Sequence, residues 1–206
     1  MSPRARARLS FLRTAAASAG LCVLLSGCLL PDRFDATLTL ATDRATLDYD
    51  GELVATAVFI DATAGKLTPD ETEKATREAL APAVEDVRRD SGTLDLTLLG
   101  EGRARAKVHW TQPTPAAGAK TTFADLVAIR RQGDGTLEIA SPELKERDRT
   151  QLARMGLGGA SGRLCIRTSG QVVDSNATTR PAEPGGCHVW TVTVLKDAPI
   201  RMLVRF

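Results

Sequence analysis

From Phe34 onward the chain alternates apolar and polar side chains, with Phe34, Ala36, Leu38 and Leu40 on one face, the period of two that a half-buried strand requires. Leu47 and Tyr49 continue the alternation to Asp50-Gly51, a pair that favours a tight hairpin turn, and Leu53 to Ile60 is the expected return strand. The period then changes. Thr68-Pro69-Asp70-Glu71 supplies a capping hydroxyl, a proline at the first helical position and a capping acid three residues on, which together predict a helix start. Ala75, Ala79, Leu80, Ala83, Val84 and Val87 recur at helical spacing, so a helix over about residues 69–90 turns one apolar stripe toward a sheet. Pro82 lacks the backbone donor that an unbroken helix uses, and a kink or a restart is expected there.

Strand periodicity returns after Ser91-Gly92, through Leu94, Leu96 and Leu98, a turn near Gly100-Glu101-Gly102, and Ala104, Ala106, Val108 and Trp110. Residues 111–120 carry Pro113, Pro115 and Gly118 and predict a loop. Phe123 to Arg131 and Thr136 to Ala140 flank Gly133-Asp134-Gly135 as a further hairpin. Residues 141–162 are charged and then glycine-rich, which predicts one helical turn and a mobile loop. Leu164 to Val173, His188 to Leu195 and Ile200 to Phe206 complete a strand-rich C-terminal half. Strands joined by short turns around one main helix give an α+β class with antiparallel sheets, as a single domain over residues 34–206. No repeat of fixed period interrupts it.

The N-terminal stretch has another character. Arg4, Arg6, Arg8 and Arg13 precede a small or apolar run from Ala15 to Leu25 with no acidic residue, the layout of a secretory signal peptide. The run is shorter than the roughly 20 residues a spanning helix needs, which disfavours a transmembrane anchor. It ends in Leu25-Ser26-Gly27-Cys28, which resembles the lipobox of bacterial lipoprotein precursors. That resemblance implies removal of residues 1–27 and acylation of Cys28, with diacylglycerol on the thiol and a fatty acyl group such as palmitate on the new amino group. Several acyl chains anchor durably where one is marginal. Residues 28–33 would then be a lipidated end and a short tether, whose five residues after the cysteine span at most about 18 Å. Leu29 in place of Asp after the cysteine implies, by the same resemblance, an outer-membrane destination facing the periplasm.

Processing also changes the charge. Taking residues 1–27 from 206 leaves 179, and losing four Arg lowers Lys+Arg from 27 to 23 against 25 acidic residues, so the net charge goes from +2 to −2. A near-neutral domain has no electrostatic case for nucleic acid. With Cys22 discarded and Cys28 lipidated, Cys165 and Cys187 are the free pair in an oxidising compartment and are expected to form a disulfide. A metal pair is the weaker alternative, since His188 would bring the ligands only to three.

Candidate chemistry is sparse. The two histidines sit beside tryptophans, as His109-Trp110 and His188-Val189-Trp190; each is a half-exposed strand histidine or, stacked on its neighbour, part of a ligand site. No nucleophile elbow, zinc-protease or phosphate-loop motif is present in the sequence. The glycine run from Gly156 to Gly162 lacks the spacing and the preceding strand of a dinucleotide fingerprint and predicts a loop. Asn176-Ala177-Thr178 matches a glycosylation sequon that has no meaning on a bacterial lipoprotein. Alternating Ile200, Met202, Val204 and terminal Phe206 resemble the last strand of an outer-membrane barrel, but seven aromatics after residue 27 cannot furnish two aromatic girdles.

The order of a short tether, a hairpin with Gly51-Glu52, a helix, a hairpin at Asp134-Gly135, then Thr168-Ser169-Gly170-Gln171-Val172-Val173-Asp174-Ser175-Asn176 and a Trp190 strand resembles uncharacterised proteobacterial lipoproteins. It is distantly similar to the mycobacterial LppM-type lipoproteins, from which it departs in lacking their following transmembrane helix. The resemblance implies a lipid-binding sheet-and-helix module with no catalytic residues. The expectation is therefore a non-enzymatic, membrane-anchored envelope protein that uses no cofactor or metal and binds a lipid or an envelope protein. The alternatives are a subunit of an outer-membrane assembly complex, or an enzyme using His109 or His188 with an acid such as Asp174.

Overall fold

The structure is a computed structural model that describes residues 29–123, 126–193 and 198–206. The expected signal peptide and Cys28 lie outside the described residues. In chain order the elements are β1 (Leu29–Leu40), β2 (Arg44–Ala55), α1 (Thr56–Thr63), α2 (Pro69–Arg89), β3 (Thr93–Gly100), β4 (Arg103–Pro113), β5 (Lys120–Phe123), β6 (Val127–Arg131), β7 (Leu137–Ala140), α3 (Glu146–Leu152), β8 (Ser161–Thr168), β9 (Gln171–Ser175), β10 (His188–Thr193) and β11 (Arg201–Arg205). Six strands form one sheet in the order β10-β8-β1-β2-β4-β3, and five form a second in the order β5-β6-β7-β11-β9. The class is α+β and the pairing mostly antiparallel. Among the described ladders β1 and β8 alone run parallel, which the long passage of the chain through the second sheet permits.

Alternation decides which face is buried. Phe34, Leu38 and Leu40 of β1, Leu47 and Tyr49 of β2, and Leu164 and Ile166 of β8 join Ile129, Ile139, Met202 and Val204 of the smaller sheet in one core. Helix α2 covers the β2, β4 and β3 part of the larger sheet, with Leu80 and Val87 buried in the same core. Its start carries both bonds of the capping box: Glu71 N donates to the Thr68 hydroxyl, and Thr68 N donates to the Glu71 carboxylate. The restart expected at Pro82 does not occur, because α2 continues through it as one helix. Pro82 and Glu78 are both exposed, so the carbonyl that loses its donor can turn to water.

Other expectations are corrected. Asp50-Gly51 is not a turn but lies inside β2; the hairpin turns at residues 41–43, where Ala41 N donates to Arg44 O over 2.9 Å. Gly51 is needed for close approach: a Cβ there would stand 2.4 Å from the Phe34 Cβ. Residues 56–60 are helix rather than return strand, because Phe59 packs into a second cluster with Leu30, Val54, Leu152, Leu157 and Ala160. Tertiary packing outweighs the β-propensity of Val58, Phe59 and Ile60. The same cluster holds α3 and the following segment Ala153–Leu157, which kinks at Gly156 (φ 83°), so this stretch of the expected mobile loop is packed. Gly162 belongs to β8, and Ser169-Gly170 divides the expected Leu164–Val173 strand into β8 and β9, one in each sheet.

The largest correction concerns residues 29–33. They are the first part of β1 and not a tether: Leu29 pairs with Ala55, and Leu29 and Leu30 are 7% and 4% exposed. Register shifts between Asp32 and Asp35, where Arg33 adopts a φ of 46°. This bulge lets Leu29 join the main core while Leu30 enters the second cluster.

Candidate functional site

The bulge gathers a polar cluster. Arg103 Nη1 donates to Asp32 over 3.0 Å and to Glu52 over 3.4 Å, Arg33 bonds Glu52, and Asp32 also accepts from Ser161 N at 3.2 Å. The Arg103 guanidinium lies 4.9 Å from the centre of the Phe59 ring, and the Tyr49 hydroxyl donates to the Glu52 carbonyl over 2.7 Å. Burial pushes the Tyr49 phenol well above its usual range, helped by the charge of Asp32, so it stays protonated as a donor. Both carboxylates are occupied by guanidinium groups. The cluster pins the start of β1 to β2, β4 and β8 and offers no free acid or base.

The two histidines fall on opposite sides of the larger sheet. His109 is exposed on the outer face, its Nδ1 2.6 Å from Asp48 Oδ1 on β2. Thr93 of β3 stands opposite it in register, giving the row Asp48, His109, Thr93. Those residue types match a nucleophilic triad, yet among the described residues no hydrogen bond joins the Thr93 hydroxyl to His109. His188 on β10 pairs with Ile166 and alternates to the core side with Trp190. Three strands separate β10 from β4, so the histidines are about 19 Å apart across the sheet and cannot share one reaction centre. Asp174 on β9 is an exposed ion partner of Arg201 at 3.7 Å.

His188 Nδ1 is shut off from solvent and has no hydrogen-bond partner among the described residues. Burial, with the nearby Arg180 charge, holds its pKa below the ordinary value. The unfolded chain takes up this proton near pH 6.5 while the folded one resists it to lower pH. Acidification from pH 7.5 to 5.5 is therefore expected to lower the melting temperature, and His188→Gln to flatten that slope. Equal slopes in both proteins would contradict the assignment.

The Cys165–Cys187 disulfide is formed, with the two Cα atoms 5.5 Å apart. It fastens the segment before β10 to β8. Beyond it, Asn176 Oδ1 accepts from Trp190 Nε1 at 2.9 Å and from Arg201 N at 2.8 Å. The Ser175-Asn176 end of the motif and Trp190 are thus joined physically, as a bridge between the two sheets.

A shallow depression of about 500 Å³ on the outer face is lined by Asp48, Asp50, Thr93, Asp95, Lys107 and His109, whereas two other cavities are mostly apolar. Between α2 and the larger sheet lies a cavity of about 480 Å³, walled by Ala79, Leu80, Ala83 and Val87 on the helix and by Leu47, Leu53, Leu96 and Val108 on the strands. Glu78, Asp86 and Lys120 bring charge to its lining. Its volume falls within the range of ligand sites, and a mostly apolar wall with few polar groups suits a hydrocarbon-rich ligand. A smaller cavity of about 200 Å³ opens at the start of β1 among Leu29, Leu30, Phe34, Leu126, Leu144 and Ile200. Leu29 lines both cavities. Among the described residues no group of three or more His, Cys, Asp or Glu could hold a metal ion, and no helix is long and apolar enough to cross a membrane. Compared with family models, curated proteins and solved structures, the chain matches none.

Proposed function

We propose that this chain is a lipid-anchored protein of the bacterial envelope, held at the outer membrane by acylated Cys28, whose globular part is a non-enzymatic binding module for a lipid. The observation that carries the binding role is the cavity of about 480 Å³ between α2 and the six-stranded sheet. A hydrocarbon chain placed there leaves water for an apolar wall, a transfer of about 0.8 kcal/mol per methylene. Lys120 at the lining supplies a cation for an anionic or ester-bearing headgroup. Support for the compartment comes from the Arg-rich and apolar N-terminal segment, the Leu25-Ser26-Gly27-Cys28 lipobox and the Cys165–Cys187 disulfide. The separation of the histidines, and the Thr93 hydroxyl that is not bonded to His109, favour binding over catalysis.

A second reading, a subunit of an outer-membrane assembly complex, is favoured by the open edge of the smaller sheet. There Val173 of edge strand β9 is 50% exposed and the adjacent terminal Phe206 is 39% exposed, and a free edge can accept a partner strand.

The experiment is solvent extraction of the full-length protein purified from membranes, with the extract identified by mass spectrometry. The wild type is expected to release a bound lipid. Ala83→Trp projects a large ring into the cavity and is expected to lower that yield by an order of magnitude while the fold, checked by circular dichroism, persists. A wild-type protein that purifies empty, or an Ala83→Trp protein that retains its lipid, would overturn the binding role.

A further inference from the structure

We infer that the smaller cavity, at the start of β1, receives one of the acyl chains carried on Cys28, so that the protein partly sheathes its own anchor; this rests on the lipid-anchored reading above. Chain continuity argues for that occupant. Residue 28 is peptide-bonded to Leu29, which puts its Cα about 3.8 Å from that of Leu29, and Leu29 lines the cavity. Because Leu29 pairs with Ala55 and is buried, the attachment point is held at the cavity by a strand and cannot swing away on a tether. Leu30, Pro31 and Phe34 line the same cavity, so its apolar wall begins one residue from Cys28.

The wall suits such a guest. Leu126, Leu144, Val192 and Ile200 complete the apolar lining, together with Pro142 and Pro199. Arg149 is the charged residue of the lining. Its Nε donates to the Leu144 carbonyl at 2.9 Å, which fixes the guanidinium beside the apolar surface. The other guanidinium donors suit the ester and amide carbonyl oxygens that join acyl chains to an N-terminal cysteine. A chain held here is withdrawn from water whenever the protein is off the bilayer. It also sets the orientation on the membrane, with residues 29–34, 141–144 and 198–200 at the membrane-proximal end.

The test uses full-length protein in nanodiscs at one copy per disc, after intact mass has established whether Cys28 is acylated. Benzoylphenylalanine replaces Leu144 in one variant and the exposed Pro142 in a second, so that one probe remains if the other perturbs folding; Val173, on edge strand β9 outside the cavity wall, is the control. Illumination is expected to join the residue 142 or 144 peptide to the acyl-bearing N-terminal peptide of the same chain and to leave the control unlinked. Adducts to free phospholipid alone, or no adduct in either folded variant, would overturn the inference and leave the lipid anchor standing. A protein with no acyl mass at Cys28 would overturn both.

Discussion

Replacing Phe34 by alanine is expected to cost about 4 kcal/mol of unfolding free energy, measured by urea denaturation. The ring is 4% exposed, stacks on Tyr49 with centroids 5.8 Å apart, and fills the space over two glycines on the flanking strands. The glycines respond differently in combination with it. A Cβ at Gly162 would meet Phe34 Cδ1 and Cε1 at 2.2 and 2.4 Å, whereas at Gly51 it would meet Phe34 Cβ and Cα at 2.4 and 2.7 Å. Gly162→Ala is thus expected to cost about 2 kcal/mol alone and far less when the ring is gone. Gly51→Ala collides with atoms that alanine keeps, so its cost persists in the Phe34→Ala background. Additive costs at position 162 would contradict this packing, since residues in contact couple.

The second large effect is loss of the Cys165–Cys187 bond. Its sequence separation is 22, and opening a loop of this size costs about 3 kcal/mol in the chain-entropy model. For a domain of this length that is a fall of roughly 6–12 °C in melting temperature, to be read by circular dichroism with and without reductant, and in Cys165→Ala/Cys187→Ala. The loss is local as well. Among the described strands β10 pairs with β8 alone, with one isolated bridge from Val189 to Thr179 on its other side, so opening the bond releases one end of a strand that is weakly held along its outer edge. Amide exchange in His188–Thr193 should rise more than in β1 or β2. Unchanged melting on reduction would contradict a structural role for the bond.

What the sequence discloses is mostly what is local. The α2 cap depends on Thr68 and Glu71, three residues apart, and is read correctly because both bonds form within one turn. The β3–β4 hairpin is legible for the same reason, its turn residues lying between two alternating runs. The disulfide is legible by a different route, since the expected export and lipidation would leave only one pair of thiols. The start of β1 is not legible: Leu29-Leu30-Pro31 shows no alternation, and its burial depends on the Arg33 bulge and on partners at Ala55 and Ser161. Gly51 misleads because a turn glycine and a close-approach glycine look alike in one sequence, and the Phe34 contact that distinguishes them is long-range.

The candidate site is less legible still. Arg103 reaches Asp32 and Glu52 across 71 and 51 residues, and no spacing rule connects them. Both cavities lie where elements remote in sequence fail to close completely over one another. The apolar periodicity of α2 correctly predicts that it packs on a sheet; how closely Ala79 and Ala83 approach that sheet is a property of the assembled fold. Small side chains on the buried stripe are the one signal that could have pointed to space beneath the helix.

The claim on which the compartment, the anchor and the self-sheathing all depend is that Cys28 is the processed and acylated first residue. Intact mass of the protein recovered from the membrane fraction tests it most directly. The expected result is a chain beginning at Cys28 with the added mass of a diacylglyceryl group and an amide-linked acyl chain. A soluble protein that still carries Met1 and Arg4 and has an unmodified Cys28 thiol would contradict it.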